Sequence, residues 1–341
     1  MTDEQVPNEI LIKAVESLCA GDDLSASDAE AVLLEIMEGR VSEVLTAGFL
    51  IALRAKGETA SELAGLAAAM RSLATPVRPT RGDLVDTAGT GGGRRTFNVS
   101  TTAALIAAGA GIGIAKHGNR SATGLSGSAD LLEALGIPID RSPEQIASDV
   151  DSIGFGFMFA PAHHAATKHV VPVRKALGTR TAFNLLGPLT NPAGADRQVV
   201  GVSDPSTVDV VAGALAELGA VRALVLSSHD GLDEISTSAP TGVVEVREGK
   251  ITHWTLDPQD YGIAVANPDD VAGGGPADNA RITRAILSGE LGPTRDLAVV
   301  NAAAAILAAG DSQDFAACVR TAEQAIDSGA AQAVVDQLAS V

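Results

Sequence analysis

The stretch Asp86-Thr-Ala-Gly-Thr-Gly-Gly-Gly-Arg-Arg-Thr-Phe-Asn-Val-Ser-Thr101 follows a short apolar strand pattern at residues 84–88 and leads into a helical pattern near Ser100. Its turn contains four glycines: Gly89, Gly91, Gly92 and Gly93. Glycines let backbone N–H groups approach an anion, and a helix N-terminus adds partial positive charge. The spacing matches neither a Walker A loop nor a dinucleotide-binding loop. The stretch predicts a phosphate cradle within an α/β fold; the simpler alternative is a glycine turn with a serine helix cap.

Short strand patterns alternate with helical patterns on the carboxyl side of this stretch. Strands are predicted at residues 112–116, 155–160, 199–202 and 223–226, with helices starting at Ser128, Ser142 and Ser206 and after Asn279. This alternation predicts βαβ units and a mainly parallel sheet. Residues 243–246 and 251–255 predict an antiparallel hairpin at one edge of that sheet. Residues 177–198 are rich in turn formers, and so long a loop in a compact domain is usually functional.

The first 75 residues show helical apolar spacing and no strand pattern. Helices are predicted at 10–18, from Ser25 or Ser27 to Met37, from Ser42 to Gly57, and from Thr59 to a point before Pro76. We therefore expect a small all-helical N-terminal domain at residues 1–76. A large α/β domain with a central, mainly parallel sheet follows at 77–341, and part of 162–192 is expected to pack on the helical domain or at the hinge.

The composition of the 341 residues limits the classes of partner. There are 42 Asp and Glu residues against 24 Lys and Arg, a formal net charge of −18, which argues against an extended nucleic-acid surface. A local basic pocket can still bind a small anion. Cys19 and Cys318 are too few for a disulfide framework, and Cys19 is predicted to be buried. With no signal-peptide pattern and no apolar run of roughly 20 residues, we expect a cytoplasmic protein that does not bind membranes.

Polar residues follow two further predicted strands, and these are candidates for the same site. Lys116-His-Gly-Asn-Arg-Ser121 comes after the second strand, so parallel strands would place it beside the glycine turn. Lys116 and Arg120 can neutralise phosphate, His117 and Asn119 can form hydrogen bonds, and His117 is otherwise a structural histidine. Ser128 is predicted to cap the helix at 129–135. The N–H groups of that helix would form a second anion-binding site, or Ser128 is only a cap.

Two charged segments complete the candidates. The densest cationic segment lies on one predicted helical stretch and contains His163, His164, Lys168, His169, Arg174 and Lys175. It is either a solvated basic face or a seat for a carboxylate. Asp233 and Glu234 are adjacent carboxylates after the strand at 223–226. Facing a phosphate cradle they would form a Mg²⁺ site, because oxygen ligands and phosphates suit this ion; otherwise they are solvated loop carboxylates.

Together these motifs resemble the anthranilate phosphoribosyltransferase family along nearly the whole chain. The specific strings are Gly89-Thr-Gly-Gly, Asn98-Val-Ser-Thr101, Lys116-His-Gly-Asn-Arg120, Gly127-Ser-Ala-Asp130, Pro172-Val-Arg174, Arg180-Thr-Ala-Phe-Asn-Leu-Leu-Gly-Pro-Leu-Thr-Asn-Pro192 and Gly231-Leu-Asp-Glu234. The resemblance implies the fold shared with pyrimidine nucleoside phosphorylases and an active site at the hinge. It also implies a homodimer formed through the helical domain.

The resemblance also implies roles for individual residues. The phosphoribosyl pyrophosphate (PRPP) site would contain Gly89, Gly92, Gly93, Thr96, Asn98, Val99, Ser100, Thr101, Lys116, His117, Gly118, Asn119, Arg120, Ser121, Ala122, Thr123, Gly124 and Ser128. Anthranilate would contact Gly89, Asn119, His164 and Arg174, with Arg174 pairing the carboxylate. Ser100, Asp233 and Glu234 would hold Mg²⁺. Because the amine of anthranilate is neutral at pH 7, no obligatory general base is assigned, and His117 is a positioning donor.

The chain departs from the family pattern in its glycine turn. The usual Gly-Thr-Gly-Gly-Asp-Gly is one residue longer; here Gly93 stands at the aspartate position and Arg94-Arg95 follow. We expect weaker Mg²⁺ binding and an altered Mg²⁺ dependence. Two other strings also differ: His164-Ala-Ala-Thr-Lys168 replaces His-Pro-Ala-Met-Lys, and Ala122-Thr123-Gly124 replaces Val-Ser-Ser.

Two rival functions use the same fold. A pyrimidine nucleoside phosphorylase transfers ribose to phosphate, but the strings at 116–120 and 180–192 favour the anthranilate enzyme. A non-enzymatic nucleic-acid-binding relative would need a long basic groove, against which the charge of −18 argues.

Overall fold

Four helices begin the chain in the computed structural model, which describes residues 8–121, 124–310, 312 and 314–341. They are α1 (Glu9–Ala20), α2 (Ala26–Met37), α3 (Glu43–Lys56) and α4 (Ala60–Ser72). Each begins at a side chain that accepts a hydrogen bond from a backbone N–H of the first turn: Asn8, Ser25, Ser42 and Thr59. Ser25, rather than Ser27, is thus the cap of α2. For residues 8–75 the prediction of helices without strands is confirmed, and residues 1–7 lie outside the described part.

A seven-stranded sheet forms the centre of the following α/β part, in the order β3-β2-β1-β4-β5-β6-β7. The strands are β1 (Leu84–Gly89), β2 (Gly113–Gly118), β3 (Phe155–Phe159), β4 (Arg197–Gly201), β5 (Arg222–Ser228), β6 (Thr241–Arg247) and β7 (Lys250–Leu256). The first five are parallel, and β6 and β7 form an antiparallel hairpin at one edge. The predicted α/β class, parallel sheet and edge hairpin are confirmed.

Helices cover both faces of the sheet and connect its strands. They are α5 (Val99–Gly109), α6 (Ser128–Leu135), α7 (Pro143–Ile153), α8 (Ala160–His163), α9 (Val171–Leu177), α10 (Phe183–Leu186), α11 (Val208–Glu217), α12 (Pro276–Leu287), α13 (Pro293–Ala309), α14 (Phe315–Asp327) and α15 (Ala330–Leu338). Short 3₁₀ helices lie at Ala165–His169, Gly187–Leu189, Pro205–Thr207, Pro258–Tyr261 and Pro268–Val271. No helix in the described part of the chain is long and apolar enough to cross a membrane.

The apolar core lies mainly in two clusters on opposite faces of the sheet. One joins α5, α13, α14 and α15 to side chains such as Leu224 and Leu226. The other joins α1–α4 and α11 to the alternating side chains Ala223 and Val225, because successive residues of a strand face opposite sides. The second cluster also contains apolar residues of 170–189. This segment therefore packs on the N-terminal helices and on the sheet at once.

The basic segment at 163–175 is not one helix, so that prediction is wrong. It is divided between α8, the 3₁₀ helix Ala165–His169 and α9. His164 has φ −117° and ψ 54°, outside the helical region, and Pro172 has no N–H to continue a helix from the preceding turn. His163 and His164 are buried, so they do not belong to a solvated basic face.

Two other local predictions are also wrong. Cys19 is exposed, because it lies on the outer face of α1, while Leu11, Ala14 and Leu18 lie on the buried face. Ser128 is the first residue of α6 and not its cap. The cap is Gly127, whose N–H donates to Asp130 Oδ2 at 2.8 Å, so a carboxylate in the first turn does the capping.

Candidate active site

The loops that follow β1, β2, β4 and β5 meet at one edge of the sheet. Parallel strands in the order β2-β1-β4-β5 bring Gly89, Gly118 and Gly201 to the same end of the sheet. Gly118 also lies against Ser128, since a Cβ at Gly118 would be 3.1 Å from that of Ser128. The edge therefore brings together the glycine turn, the 116–121 segment, the start of α6 and the carboxylates of 229–236, as the sequence predicted.

The glycine turn has a backbone shape that other residues rarely adopt. Gly91 and Gly92 have φ values of +66° and +92°, in the region where a side chain is strained. The turn is fastened to the loop after β4: the Thr90 N–H donates to the Gly201 carbonyl at 2.8 Å, and Ser203 Oγ donates to the Gly91 carbonyl at 2.9 Å. The N-terminus of α5 follows directly. Such a fixed turn offers backbone N–H groups to an anion.

Asp233 is packed among three glycines. A Cβ at Gly89 would be 3.4 Å from Asp233 Oδ2, and a Cβ at Gly93 would be 2.9 Å from the Asp233 backbone nitrogen and would overlap Oδ1. A Cβ at Gly201 would overlap the Asp233 carbonyl. The glycine turn is thus in direct contact with residues 229–236, which we call the carboxylate loop. Because Gly93 has no side chain, the Asp233 side chain occupies the space beside it.

The carboxylate pair fits a hard divalent cation. Burial raises the pKa of Asp233, and burial together with the charge of Asp233 raises the pKa of Glu234 well above its usual value. Lys116 and Arg94 oppose this rise at Glu234. Glu234 Oε2 is buried without a hydrogen-bond partner among the described residues. Within the described ranges no three His, Cys, Asp or Glu side chains cluster as a metal site. Mg²⁺ commonly binds to one or two carboxylates together with phosphate and water oxygens.

Lys116 lies beneath the edge rather than on it. Its side chain is 1% exposed, and Nζ donates to the carbonyl and to Oγ1 of Thr87. Burial lowers the pKa of Lys116 to about 8, while Asp86 and Glu234 oppose this shift. The ammonium group therefore acts on the carboxylates from below the site.

His117 and His164 form a buried, neutral pair. Their ring centroids are 5.1 Å apart, and burial lowers the pKa of His117 to about 3 and that of His164 to about 4. His117 Nδ1 is 3.2 Å from the Gly187 carbonyl and His164 Nε2 is 3.1 Å from the Thr190 carbonyl. Because a carbonyl only accepts, these nitrogens carry the protons. The Nδ1–H of His117 thus donates to the protein, and its Nε2 is a buried acceptor without a partner in the described part. The role of His117 as a positioning donor for the substrate stays a prediction.

Several predicted PRPP residues already have partners within the protein. The Asn98 amide donates to the Ser126 carbonyl and accepts from Asn279 Nδ2, at 3.1 and 2.8 Å. Arg120 pairs with Asp130 and Glu133 at 2.8 and 2.6 Å. Val99 and Thr101 are fully buried. Of these residues, only Arg120 has a side chain near half exposure, at 47%.

The remaining predicted PRPP residues lie along the same edge. Thr96, Ser100, Gly118 and Ser121 are partly buried, whereas Asn119 and Gly124 are exposed. Gly124 N–H donates to Ser121 Oγ at 2.7 Å and so closes the end of this loop. Ala122 and Thr123 lie outside the described residues.

Arg174 is a partly buried cation of the basic segment and stacks on an aromatic ring. It is carried by α9, and its guanidinium carbon is 5.1 Å from the centre of the Phe183 ring. Burial lowers the pKa of Arg174, and no side-chain ion pair of Arg174 occurs among the residues described. A partly desolvated guanidinium stacked on an aromatic ring is a specific site for a carboxylate.

Two groups that sequence reasoning did not assign also contribute to this edge. Asp86 is fully buried, with Oδ1 accepting from the His117 N–H at 3.1 Å and Oδ2 from Asn191 Nδ2 at 2.8 Å. Burial raises its pKa to about 6. Arg180 lies beside Gly92, whose Cβ would be 2.9 Å from Arg180 Nη1. Both residues stand inside quoted motifs, which was the only available signal.

Comparison with known proteins gives consistent matches. The profile described as "Glycosyl transferase family, helical bundle domain" matches residues 12–74, and "Glycosyl transferase family, a/b domain" matches residues 81–332. The anthranilate phosphoribosyltransferase of Solibacter usitatus is 51% identical over 93% of this chain and 94% of its own length.

Solved structures agree over the same length. The anthranilate phosphoribosyltransferase of Thermus thermophilus superimposes with a TM-score of 0.91 at 43% identity, covering 96% of this chain and 98% of its own. The Saccharomyces cerevisiae enzyme in complex with PRPP and Mg superimposes with a TM-score of 0.88 at 28% identity, covering 98% and 99%.

Proposed function

Because the chain belongs to the anthranilate phosphoribosyltransferases of this glycosyl transferase family, we propose how its own residues perform that family's reaction. The chain is a pentosyltransferase of tryptophan biosynthesis. It joins the anomeric carbon of PRPP to the amine of anthranilate, releases pyrophosphate and uses Mg²⁺. The observation that carries the residue-level proposal is the contact between the glycine turn and the carboxylate loop at one edge of the sheet.

The phosphates of PRPP bind to backbone N–H groups in this proposal. The positive φ values at Gly91 and Gly92 support it, as do the N-termini of α5 and α6 at the same edge. Backbone donors and helix termini bind an anion without a large positive surface, which suits a chain with a net charge of −18. Lys116 and Arg180 add positive charge from below and beside the turn. Asn98 and Thr101 act by shaping this turn, because their side chains are engaged or buried.

Asp233 and Glu234, with Ser100, hold the metal in this proposal. Bound Mg²⁺ neutralises the charge that builds on the departing pyrophosphate. Positive charges partly oppose the rise in the pKa of each carboxylate: Lys116 and Arg94 at Glu234, and Arg180 at Asp233. The unpartnered Oε2 of Glu234 supports its assignment as a ligand.

Arg174 binds the carboxylate of anthranilate, and Gly89 and Asn119 face its amine, in this proposal. The amine is neutral at pH 7 and attacks the anomeric carbon as pyrophosphate leaves, so orientation and charge stabilisation supply the catalysis. His117 and His164 stay neutral, because burial lowers the pKa of both. They hold Gly187 and Thr190 in place, and through this segment they shape the anthranilate site.

We also propose a homodimer formed through the helical domain, residues 1–76, with 77–341 as the second domain, in the cytoplasm. One face of α3 supports the dimer: Val44, Gly48, Ile51 and Ala55 are exposed and share a helical stripe. Val44 is 83% exposed and Ile51 is 40% exposed. A continuous apolar stripe on an otherwise acidic protein is typical of an interface between copies.

Val44→Glu is expected to convert the dimer to a monomer. A carboxylate buried at a symmetric interface is placed there twice and meets no partner on this stripe. Size-exclusion chromatography with light scattering would give twice the chain mass for the parent and the single chain mass for the variant. Val221→Glu, at an exposed position between α11 and β5, is the control and should remain dimeric. A parent protein that is monomeric at micromolar concentration would contradict the proposal.

Gly93→Asp is expected to weaken Mg²⁺-dependent PRPP binding rather than to restore it. The new Cβ would overlap Asp233 Oδ1, so the added carboxylate would displace a proposed ligand. We expect about a tenfold higher KM for PRPP, because the displacement removes part of the metal site. Gly93→Ala adds the Cβ without charge and should be impaired to a similar degree. If Gly93→Asp instead lowered the Mg²⁺ concentration needed for half-maximal activity, this steric account would be wrong.

The rival activities have a direct test. Purified chain would be assayed for pyrophosphate release from PRPP with and without anthranilate, and for phosphate-dependent cleavage of thymidine and uridine. We expect release only with anthranilate, and no nucleoside cleavage. Nucleoside cleavage without anthranilate-dependent release would support the phosphorylase, and a DNA mobility shift without either activity would support the nucleic-acid-binding relative.

A further inference from the structure

Arg94 connects three separate segments at the edge of the site. Its backbone N–H donates to the Gly231 carbonyl at 3.1 Å, and its Nη2 donates to Asp230 Oδ2 at 3.1 Å. Its Nη1 donates to the Pro268 carbonyl at 3.0 Å. One residue of the glycine turn thus holds both the carboxylate loop and the 3₁₀ helix Pro268–Val271.

The partner of Arg94 is itself fixed within the carboxylate loop. Asp230 Oδ2 also accepts from Ser236 Oγ at 2.7 Å, and Oδ1 accepts from the Leu232 N–H at 3.3 Å. These bonds close residues 230–236 into a turn that carries Asp233 and Glu234. The side chains of Arg94 and Asp230 are 24% and 18% exposed, so water screens this pair less than a surface pair.

We propose that Arg94 is a positioning residue that clamps the carboxylate loop against the glycine turn through Asp230, and so sets the affinity for PRPP with Mg²⁺. The inference rests on the proposed function of this site. Gly93 stands at the aspartate position of the longer family turn, and the Asp233 side chain fills the space that a side chain at Gly93 would need. Arg94 follows Gly93 directly. In this chain the turn therefore supplies a cation that holds the loop, rather than a carboxylate.

A simpler role for Arg94 is a free cation that attracts phosphate. The two roles predict opposite effects of Asp230→Asn. This change removes a negative charge near the site. If Arg94 acts as a free cation, the Kd for PRPP should therefore be unchanged or lower. If Arg94 acts as a clamp, loss of its ion pair with Asp230 would release the carboxylate loop and raise the Kd for PRPP.

The test is calorimetric titration of PRPP into the full chain at several Mg²⁺ concentrations, for the parent, Arg94→Met, Asp230→Asn and the double variant. We expect each single variant to raise the Kd about tenfold, and the double variant to be no worse than either, because both remove one interaction. KM for anthranilate should not change. Arg94→Lys keeps the charge but loses the paired donors of the guanidinium, so its Kd should lie between those of the parent and Arg94→Met. It replaces Arg94→Met in the titration if that variant does not fold. Arg320→Met, an exposed arginine on α14, is the control for charge and should match the parent.

Three results would overturn the clamp: an unchanged Kd in Arg94→Met, tighter binding in Asp230→Asn, or additive losses in the double variant. A parent chain that shows no Mg²⁺-dependent binding of PRPP would overturn the proposed function, and the clamp with it. The two failures are therefore distinguishable in the same titration.

Discussion

Asp233→Asn is expected to lower kcat/KM for PRPP by at least ~100-fold, with the Mg²⁺ concentration for half-maximal activity raised. The substitution keeps the size of the side chain among Gly89, Gly93 and Gly201 but removes the charge that we propose binds Mg²⁺. If Asp233 is one of the two carboxylates of the proposed Mg²⁺ site, its loss weakens the stabilisation of the departing pyrophosphate by several kcal/mol. Each tenfold in rate corresponds to about 1.4 kcal/mol. Steady-state rates across a Mg²⁺ series would give both values.

Thermal unfolding of Asp233→Asn distinguishes an effect on folding from an effect on metal binding. Thermal unfolding without ligands should be unchanged or slightly higher, because Asp233 is buried beside Glu234 and burial raises the pKa of both. Stabilisation by PRPP with Mg²⁺ should be lost. Asp336→Asn, which changes an exposed carboxylate on α15, is the matched control. Full activity of Asp233→Asn at the Mg²⁺ concentration that the parent needs would contradict the metal assignment.

Arg174→Met is expected to lower kcat/KM for anthranilate about 100-fold while the KM for PRPP changes less than threefold. The methionine keeps the contact with the Phe183 ring but removes the paired donors for a carboxylate, which are worth about 1.5–3 kcal/mol per charged hydrogen bond. Initial rates with each substrate varied in turn would separate the two effects.

Arg174→Lys sharpens this prediction, because it keeps the charge and loses the flat, two-pronged geometry. We expect the kcat/KM of Arg174→Lys for anthranilate to be at most about tenfold higher than that of Arg174→Met. Lys250→Met, at the exposed first residue of β7, is the control for loss of a cation. An equal rise in the KM for PRPP and in the KM for anthranilate would show that Arg174 shapes the whole site and does not bind anthranilate.

Periodicity and turn residues predicted the four N-terminal helices, the parallel sheet and its edge hairpin. These elements are local in origin, since a cap such as Thr59 or a period-2 strand is visible within a few residues. The meeting of the glycine turn with Asp233 and Glu234 was also predictable, because parallel strands bring their carboxyl ends to one edge.

The interior of the site was not predictable in the same way. Lys116 was expected to face phosphate, but its ammonium is buried and donates hydrogen bonds to Thr87. His163 and His164 were expected on one helix, but each bonds a carbonyl of a distant segment, Thr75 and Thr190. The spacing of charged residues and histidines in the sequence does not show whether such a side chain faces solvent or is buried against the backbone of a distant segment. Only tertiary packing decides between them, and it also gave Asp86 and Arg180 their places.

The measurement that tests the central claim most directly is the fluorescence of anthranilate mixed with the purified chain, PRPP and Mg²⁺. We predict that the fluorescence falls as anthranilate is consumed, at a rate proportional to the amount of protein. The decay should stop when either PRPP or Mg²⁺ is withheld. A fluorescence trace that matches the protein-free control, from a chain shown to be folded by its thermal unfolding, would contradict the account.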